Sequence, residues 1–193
     1  MSPRTAQQNE EIRLESQKKI MDAAFELVAK QGYESTSISQ IARKAGVAKG
    51  LVYNYFESKE ELLNSLVQRA FSEGEGAMQN LITDDPAKTL ENFFRLFFSE
   101  LRERPEYWRL ITELTFKIDQ FKFVHDMATE KIGGYLMLFE SLLSQIGMEN
   151  PKGEAKLLAA MFDGIGVQYL VIREDYPLDE IENYLIDKYC KGK

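Results

Sequence analysis

The sequence predicts an all-α fold of nine helices in two domains, a small N-terminal helix-turn-helix module and a larger C-terminal helical body. Along the 193 residues, apolar side chains recur at three- and four-residue intervals, the period of a buried helix face, and no segment reads convincingly as a strand. Helix punctuation falls at matching places, with Ser, Asp or Pro at the starts of apolar stripes and Gly or Pro beyond their ends. The third observation is the segment Thr36 to Lys59, which reads as two short helices joined by a tight turn.

Residues 1–9 show no periodicity and read as a mobile arm. The first helix runs from about Glu10 to Gln31, buries Ile20, Ala23, Ala24, Leu27 and Val28, and ends at Gly32. Ser37 with Gln40 three residues later is a capping box, and Ile38, Ile41, Ala42 and Ala45 supply one helical face. Gly46 follows the last apolar position, where a left-handed backbone ends a helix at little cost, and Val47 turns back toward the core.

The next helix, about Ala48 to Phe56, can bury only a few side chains, and Val52 and Phe56 are its anchors. At about 100° per residue, those anchors turn Gly50 and Asn54 outward, with Leu51 and Tyr53 on the flanks and Lys49 at the exposed start. Such a face packs poorly and suits a major groove. An amide pairs with an adenine edge, an apolar side chain meets a thymine methyl, and Lys and Tyr hold phosphates.

Ser58 and Glu61 form a second capping box for a fourth helix carrying Leu62, Leu63, Leu66, Val67 and Ala70, loosened at its far end by Gly74 and Gly76. The domain boundary is placed near Ser72, giving domains 1–71 and 72–193. Asp85 caps a fifth helix with Pro86 in its first turn and the stripe Leu90, Phe93, Phe94, Phe97 and Leu101. Pro105 opens a sixth through Tyr107, Trp108, Ile111 and Leu114.

A seventh helix spans about Phe121 to Ile146, and Gly133-Gly134 in its middle marks either a kink or a close crossing. The last two run from about Gly153 to Arg173 and Leu178 to Lys191. Ala159, Ala160, Gly164 and Gly166 make the former thin enough for close helix approach. It keeps apolar residues Met161, Ile165, Tyr169 and Ile172, and the latter keeps Ile181, Tyr184 and Leu185, a set that a terminal helix pair can use simply to cap the core.

Residues 15 to 68 resemble the tetracycline-repressor (TetR) family of one-component regulators. The match is carried by Ile20, Ala23, Ala24, Leu27, Gly32, Tyr33, Thr36, Ser37, Ile38, Ile41, Ala42, Ala45, Gly46, Val47, Gly50, Val52, Tyr53, Tyr55, Phe56, Ser58, Lys59, Glu60 and Leu62. Ala48 stands where the family usually has Ser or Thr, so a cap of the recognition helix is missing.

The resemblance implies a homodimeric regulator, more often a repressor, acting on a palindromic double-stranded operator. Thr36, Ser37, Tyr53, Tyr55 and Lys59 are expected at phosphates, and Ser39, Lys49, Gly50, Leu51 and Asn54 at bases. It also implies an effector pocket between the fifth and eighth helices and a two-fold interface through the last two. The aromatic and Met load of the body suits a small apolar or amphipathic effector, with Phe97, Trp108, Ile111, Tyr135, Phe139 and Met161 as candidates. Polar specificity falls to Arg109, His125 or Gln168. The alternative is a DNA-binding adaptor controlled by a protein partner instead of a small molecule.

Composition bounds the rest. Net charge is −7, against a general polyanion binder, yet residues 1–70 hold ten Lys or Arg against nine Asp or Glu while the remainder holds fourteen against twenty-two. A DNA-facing front on an acidic body fits this asymmetry. No run of eighteen apolar residues and a polar start predict neither membrane span nor secretory signal, hence a cytoplasmic protein. One cysteine, Cys190, excludes an internal disulfide, and the sole histidine, His125, has no partner at ligand spacing. Without paired acids, an activated nucleophile or a metal set, no enzyme, cofactor or metal is expected.

Overall fold

The computed structural model describes residues 5–115 and 121–191. Among them run nine α-helices: α1 (Ala6–Gln31), α2 (Ile38–Ala45), α3 (Lys49–Tyr55), α4 (Lys59–Gln79), α5 (Pro86–Glu103), α6 (Pro105–Thr115), α7 (Lys122–Gln145), α8 (Pro151–Ile172) and α9 (Leu178–Tyr189). A short 3-10 turn at 173–175 separates the last two. The chain divides into two compact units, Met1–Ser72 and Glu73–Lys193, with the division inside α4.

In the first unit α1 begins at Ala6, earlier than its periodicity announces, because Thr5 and Gln8 form a capping box of their own. Residues 6–9 of the expected arm are therefore helical, and residues 1–4 lie outside the described residues. Ile20, Ala23 and Ala24 of α1 close a core with Ile38, Ile41 and Ala42 of α2, Val52, Phe56, and Leu62 and Leu66 of α4. Gly46 sits in the left-handed region at φ 69°, and the Val47 N–H reaches back to the Ala42 carbonyl at 3.0 Å, so a left-handed turn satisfies the end of α2.

At the start of α4 the Glu61 N–H donates to Ser58 Oγ at 3.0 Å, whereas the Glu61 carboxylate accepts from the Glu57 N–H, one residue further back than a capping box requires. α4 continues through Gly74 and Gly76 to Gln79.

In the second unit α5 packs on α6, α7 and α9, while α8 packs on α6 and α7. Asp85 accepts from the Ala87 and Lys88 N–H groups at the head of α5. Leu90, Phe94, Phe98 and Leu101 of α5 are fully buried, and this stripe is the axis of the core. Leu110 and Leu114, not Ile111, are the buried positions of α6. α7 runs unbroken through Gly133 and Gly134, and nothing lies within 4 Å of a Cβ built at either, which removes the close-crossing alternative. Arg102 clasps α5 to α9 through Asp179 and Glu182, each at 2.5 Å.

Candidate functional site

The first unit presents α3 in the orientation that its two anchors dictate. Val52 is 0% and Phe56 5% exposed, while Lys49, Gly50, Tyr53 and Asn54 face solvent with Leu51 on the flank. A Cβ built at Gly50 meets nothing within 4 Å, so the surface there is open for another body to approach closely. The Lys49 ammonium lies 5.9 Å from the Tyr53 ring centroid, which keeps cation and phenol on one side of the helix. Ala48 takes the N-cap geometry but makes no side-chain hydrogen bond, as its identity requires. Ser39 is exposed in the first turn of α2, and Tyr55 is half-buried with its ring edge-on to Phe56.

Three of the expected phosphate contacts are committed internally. Ser37 caps α2, its hydroxyl accepting from the Gln40 N–H. Thr36 is 2% exposed and its hydroxyl donates to the Gly32 carbonyl at 2.8 Å. The Lys59 ammonium donates to the carbonyls of Tyr33 at 3.0 Å and Thr36 at 3.1 Å, and stands 3.9 Å from the Tyr33 ring centroid. Burial, followed by the charges of Glu60 and Glu34, raises the Tyr33 phenol above its ordinary range, so it stays neutral beneath that cation. Position in the motif cannot distinguish a lysine aimed outward from one folded onto carbonyls. Sequence reasoning passed over Arg43, an exposed cation in the last turn of α2 whose only signal is that placement.

In the second unit Phe162 of α8 is the hub of the aromatic cluster, with ring centroids 4.6 Å from Phe97, 5.7 Å from Phe94 and 5.9 Å from Phe139. Phe97 in turn lies 5.3 Å from Trp108. The structure therefore brings together Phe97, Trp108 and Phe139, with Tyr135 and Met161 packed on the same core, through a residue the candidate set omitted. Ile111 is half-buried on α6 outside that core. An open groove of about 300 Å³ lies elsewhere, between α7 and α8, lined by Leu136, Met137, Ala155 and the rim residues Glu140, Lys152 and Lys156.

Of the polar candidates, Arg109 and His125 are exposed, and Gln168 accepts from the Tyr176 hydroxyl at 3.0 Å. Half-burial pushes the Cys190 thiol up to about 12, so it is an inert thiol at neutral pH.

α8 keeps an uncovered apolar face. Within Pro151–Asp175 an 18-residue window reaches mean hydropathy 1.4, long and apolar enough by composition to cross a membrane, yet only 22% of that window is buried. The face differs from the expected one. Ile165 is buried, and Met161 and Tyr169 pack against the core. What faces out is Leu157, Ala160, Val167 and Val171, with half-buried Gly164 among them, spaced alternately three and four residues apart as in a helix-pairing seam, and of the residues expected on α8 only Ile172 is exposed beside them. On α9, Leu185 is buried and Tyr184 exposed.

Residues 20–66 match the family model described as "Bacterial regulatory proteins, tetR family". The chain is 29% identical over 129 residues to the fatty acid metabolism regulator protein of Bacillus subtilis, covering 65% of this chain and 65% of that relative, slightly less than two thirds of its length. Among solved structures, a TetR transcription regulator from Haloarcula marismortui superposes with a TM-score of 0.80 at 15% identity, covering 91% of this chain and 96% of that one. The transcriptional regulator FadR from Bacillus subtilis, in complex with stearoyl-CoA, does so with a TM-score of 0.71 at 22% identity, covering 91% and 98%. With a helix-turn-helix of matching residues and a helical body of matching fold, the chain belongs to the TetR family of bacterial regulatory proteins.

Proposed function

We propose that the chain is a cytoplasmic, homodimeric, sequence-specific DNA-binding regulator of transcription, a repressor released from a palindromic operator by a mostly apolar small molecule. It is a binding protein and not an enzyme. Residues 1–71 are assigned to DNA and residues 72–193 to effector and dimer. The observation that carries the reading is the orientation of α3: a short helix pinned by Val52 and Phe56 that turns a lysine, a glycine, a tyrosine and an asparagine to solvent.

Lys49, Gly50, Leu51, Asn54 and Ser39 face bases, and Tyr53, Tyr55 and Arg43 face phosphates, while Ser37 acts through the cap it gives α2. Thr36 and Lys59 act through the backbone they hold. The seam on α8 and Tyr184 on α9 support a two-fold helical interface, since a stripe this apolar is covered when a second copy lies on it. Two recognition helices about 34 to 36 Å apart, or a multiple of that, then read successive half-sites. The stearoyl-CoA held by a structural neighbour supports a long apolar effector here. A coupling of roughly 1 to 3 kcal/mol between the sites changes DNA affinity about 5- to 150-fold.

Selection from random double-stranded DNA is the test. The wild-type protein should recover a palindrome, and Asn54→Ala should lose about 1–3 kcal/mol on it while degenerating one position of each half-site. Equal loss on every sequence would remove Asn54 from base readout, and recovery of no sequence at all would remove the reading.

A further inference from the structure

We propose that the indole N–H of Trp108 is the polar anchor of the effector site, and that the effector therefore carries an uncharged acceptor oxygen, a carbonyl or an ether, on an otherwise apolar molecule. The inference rests on the reading of the second unit as a small-molecule receptor and narrows it to a ligand class.

The Trp108 Nε1 atom is fully buried and has no hydrogen-bond partner among the described residues. An indole nitrogen is a donor only, so nothing but an acceptor can satisfy it. Buried donors in folded proteins are almost always paired, and one left orphaned marks a site where a partner is missing. The described surroundings supply none: Phe97 stands edge-on at 5.3 Å, and a Cβ added at Gly166 on α8 would make ordinary contact, 4.0 Å from the indole ring and 3.9 Å from Leu101.

Other polar groups of the body are already engaged or turned away. Gln168 is taken by Tyr176, and Arg109 and His125 are exposed. Arg104 pairs with Glu100 at 3.2 Å and lies 4.9 Å from the Tyr107 ring centroid. A carboxylate brought to the indole would be desolvated against a single neutral donor, which a carbonyl or ether tolerates and an anion does not. A pure hydrocarbon would leave the donor orphaned. Phe97, Trp108 and Phe162 are only half-buried, so the ring cluster opens by side-chain rotation without unfolding a helix.

Trp108 is the sole tryptophan, so a ¹⁵N–¹H correlation spectrum holds one indole cross-peak that reports this atom alone. The full-length protein is titrated with decane, 2-decanone and decanoate. 2-Decanone should bind best and move the indole proton downfield. Trp108→Phe should weaken 2-decanone about 5- to 20-fold while leaving decane within about twofold, because only the ketone loses a hydrogen bond. Backbone shifts with 2-decanone while the indole peak stays put would overturn the anchor and leave the receptor reading standing, as would equal weakening of both probes by Trp108→Phe. Tighter binding of decanoate than of the ketone would overturn the uncharged acceptor. No shift of any resonance by any probe would overturn the receptor reading and the anchor with it. The cross-peak measurement is made on the wild-type protein, so it stands even where the variant folds poorly.

Discussion

Lys59→Met separates a lysine that holds the fold from one that holds DNA. Its ammonium is 3.0 Å from the Tyr33 carbonyl, 3.1 Å from the Thr36 carbonyl and 3.9 Å from the Tyr33 ring centroid. Hydrogen bonds from a charged donor contribute about 1.5–3 kcal/mol, and a cation over a part-exposed aromatic about 0.5–1 kcal/mol. Discounted for the partial exposure of the lysine, the loss comes to about 2–3 kcal/mol. A cation in the first turn of a helix is also disfavoured by the helix dipole, so its place there needs these carbonyls.

The assay is thermal unfolding followed by far-ultraviolet circular dichroism. For a unit of this size about 4–8 °C are lost per kcal/mol, so the first unit should melt about 10 °C lower or more. A lysine serving only as a phosphate contact predicts the opposite pattern. Stability would stay within about 0.5 kcal/mol, and the slope of log affinity against log salt would shrink by about 0.9. An unmoved midpoint with that reduced slope would refute the scaffold role.

Ala48→Ser should supply the absent cap of α3 and stabilise the first unit by about 0.5–1 kcal/mol, read as a higher denaturant midpoint; no change would mean the cap geometry does not admit the hydroxyl. Val171, 77% exposed on the α8 seam, should convert a dimer to a monomer in sedimentation velocity when changed to Glu, and an unchanged dimer would move the interface elsewhere. The Tyr189 hydroxyl donates to the Glu154 carboxylate at 2.7 Å, and burial first, then that bond, raises its phenol pKa above the ordinary 10.0. Because the folded value exceeds the unfolded one, this contribution is complete below about pH 10 and is lost as pH climbs from there through the folded value. Tyr189→Phe should cost about 1 kcal/mol at neutral pH and flatten the alkaline loss of stability, checked by denaturant midpoints between about pH 8 and 11; an equally steep loss in the variant would refute the linkage.

The elements legible in the sequence are those where one residue type has one physical use. Gly46 past an apolar stripe, Ser37 with Gln40, and Asp85 before Pro86 each specify a helix end, and all three stand as read. The face of α3 was legible for the same reason, since a helix this short has only Val52 and Phe56 to bury. α8 was not legible in rotation. Apolar residues surround much of it, so periodicity offers two faces, and only packing against α6 and α7 decides that Ile165 points in and Val171 out. Phe162 escaped notice as the hub because ring contacts among four helices are long-range facts. The commitments of Lys59 and Thr36 were hidden because their partners are backbone carbonyls, which every residue has.

The left-handed turn at Gly46 has a consequence for how the angle between α2 and α3 is encoded. At φ 69° and ψ 30°, with nothing within 4 Å of a built Cβ, the position has room for a side chain and lacks only permission from the torsions. L-Alanine would fit there in space and still cost about 1–2 kcal/mol in strain. Its mirror image, D-alanine, takes this conformation naturally and restricts the unfolded chain more than glycine does. The site thus selects handedness and is indifferent to bulk: the bend that aims α3 is written as a chirality requirement on one α-carbon, which glycine meets by having no hand at all.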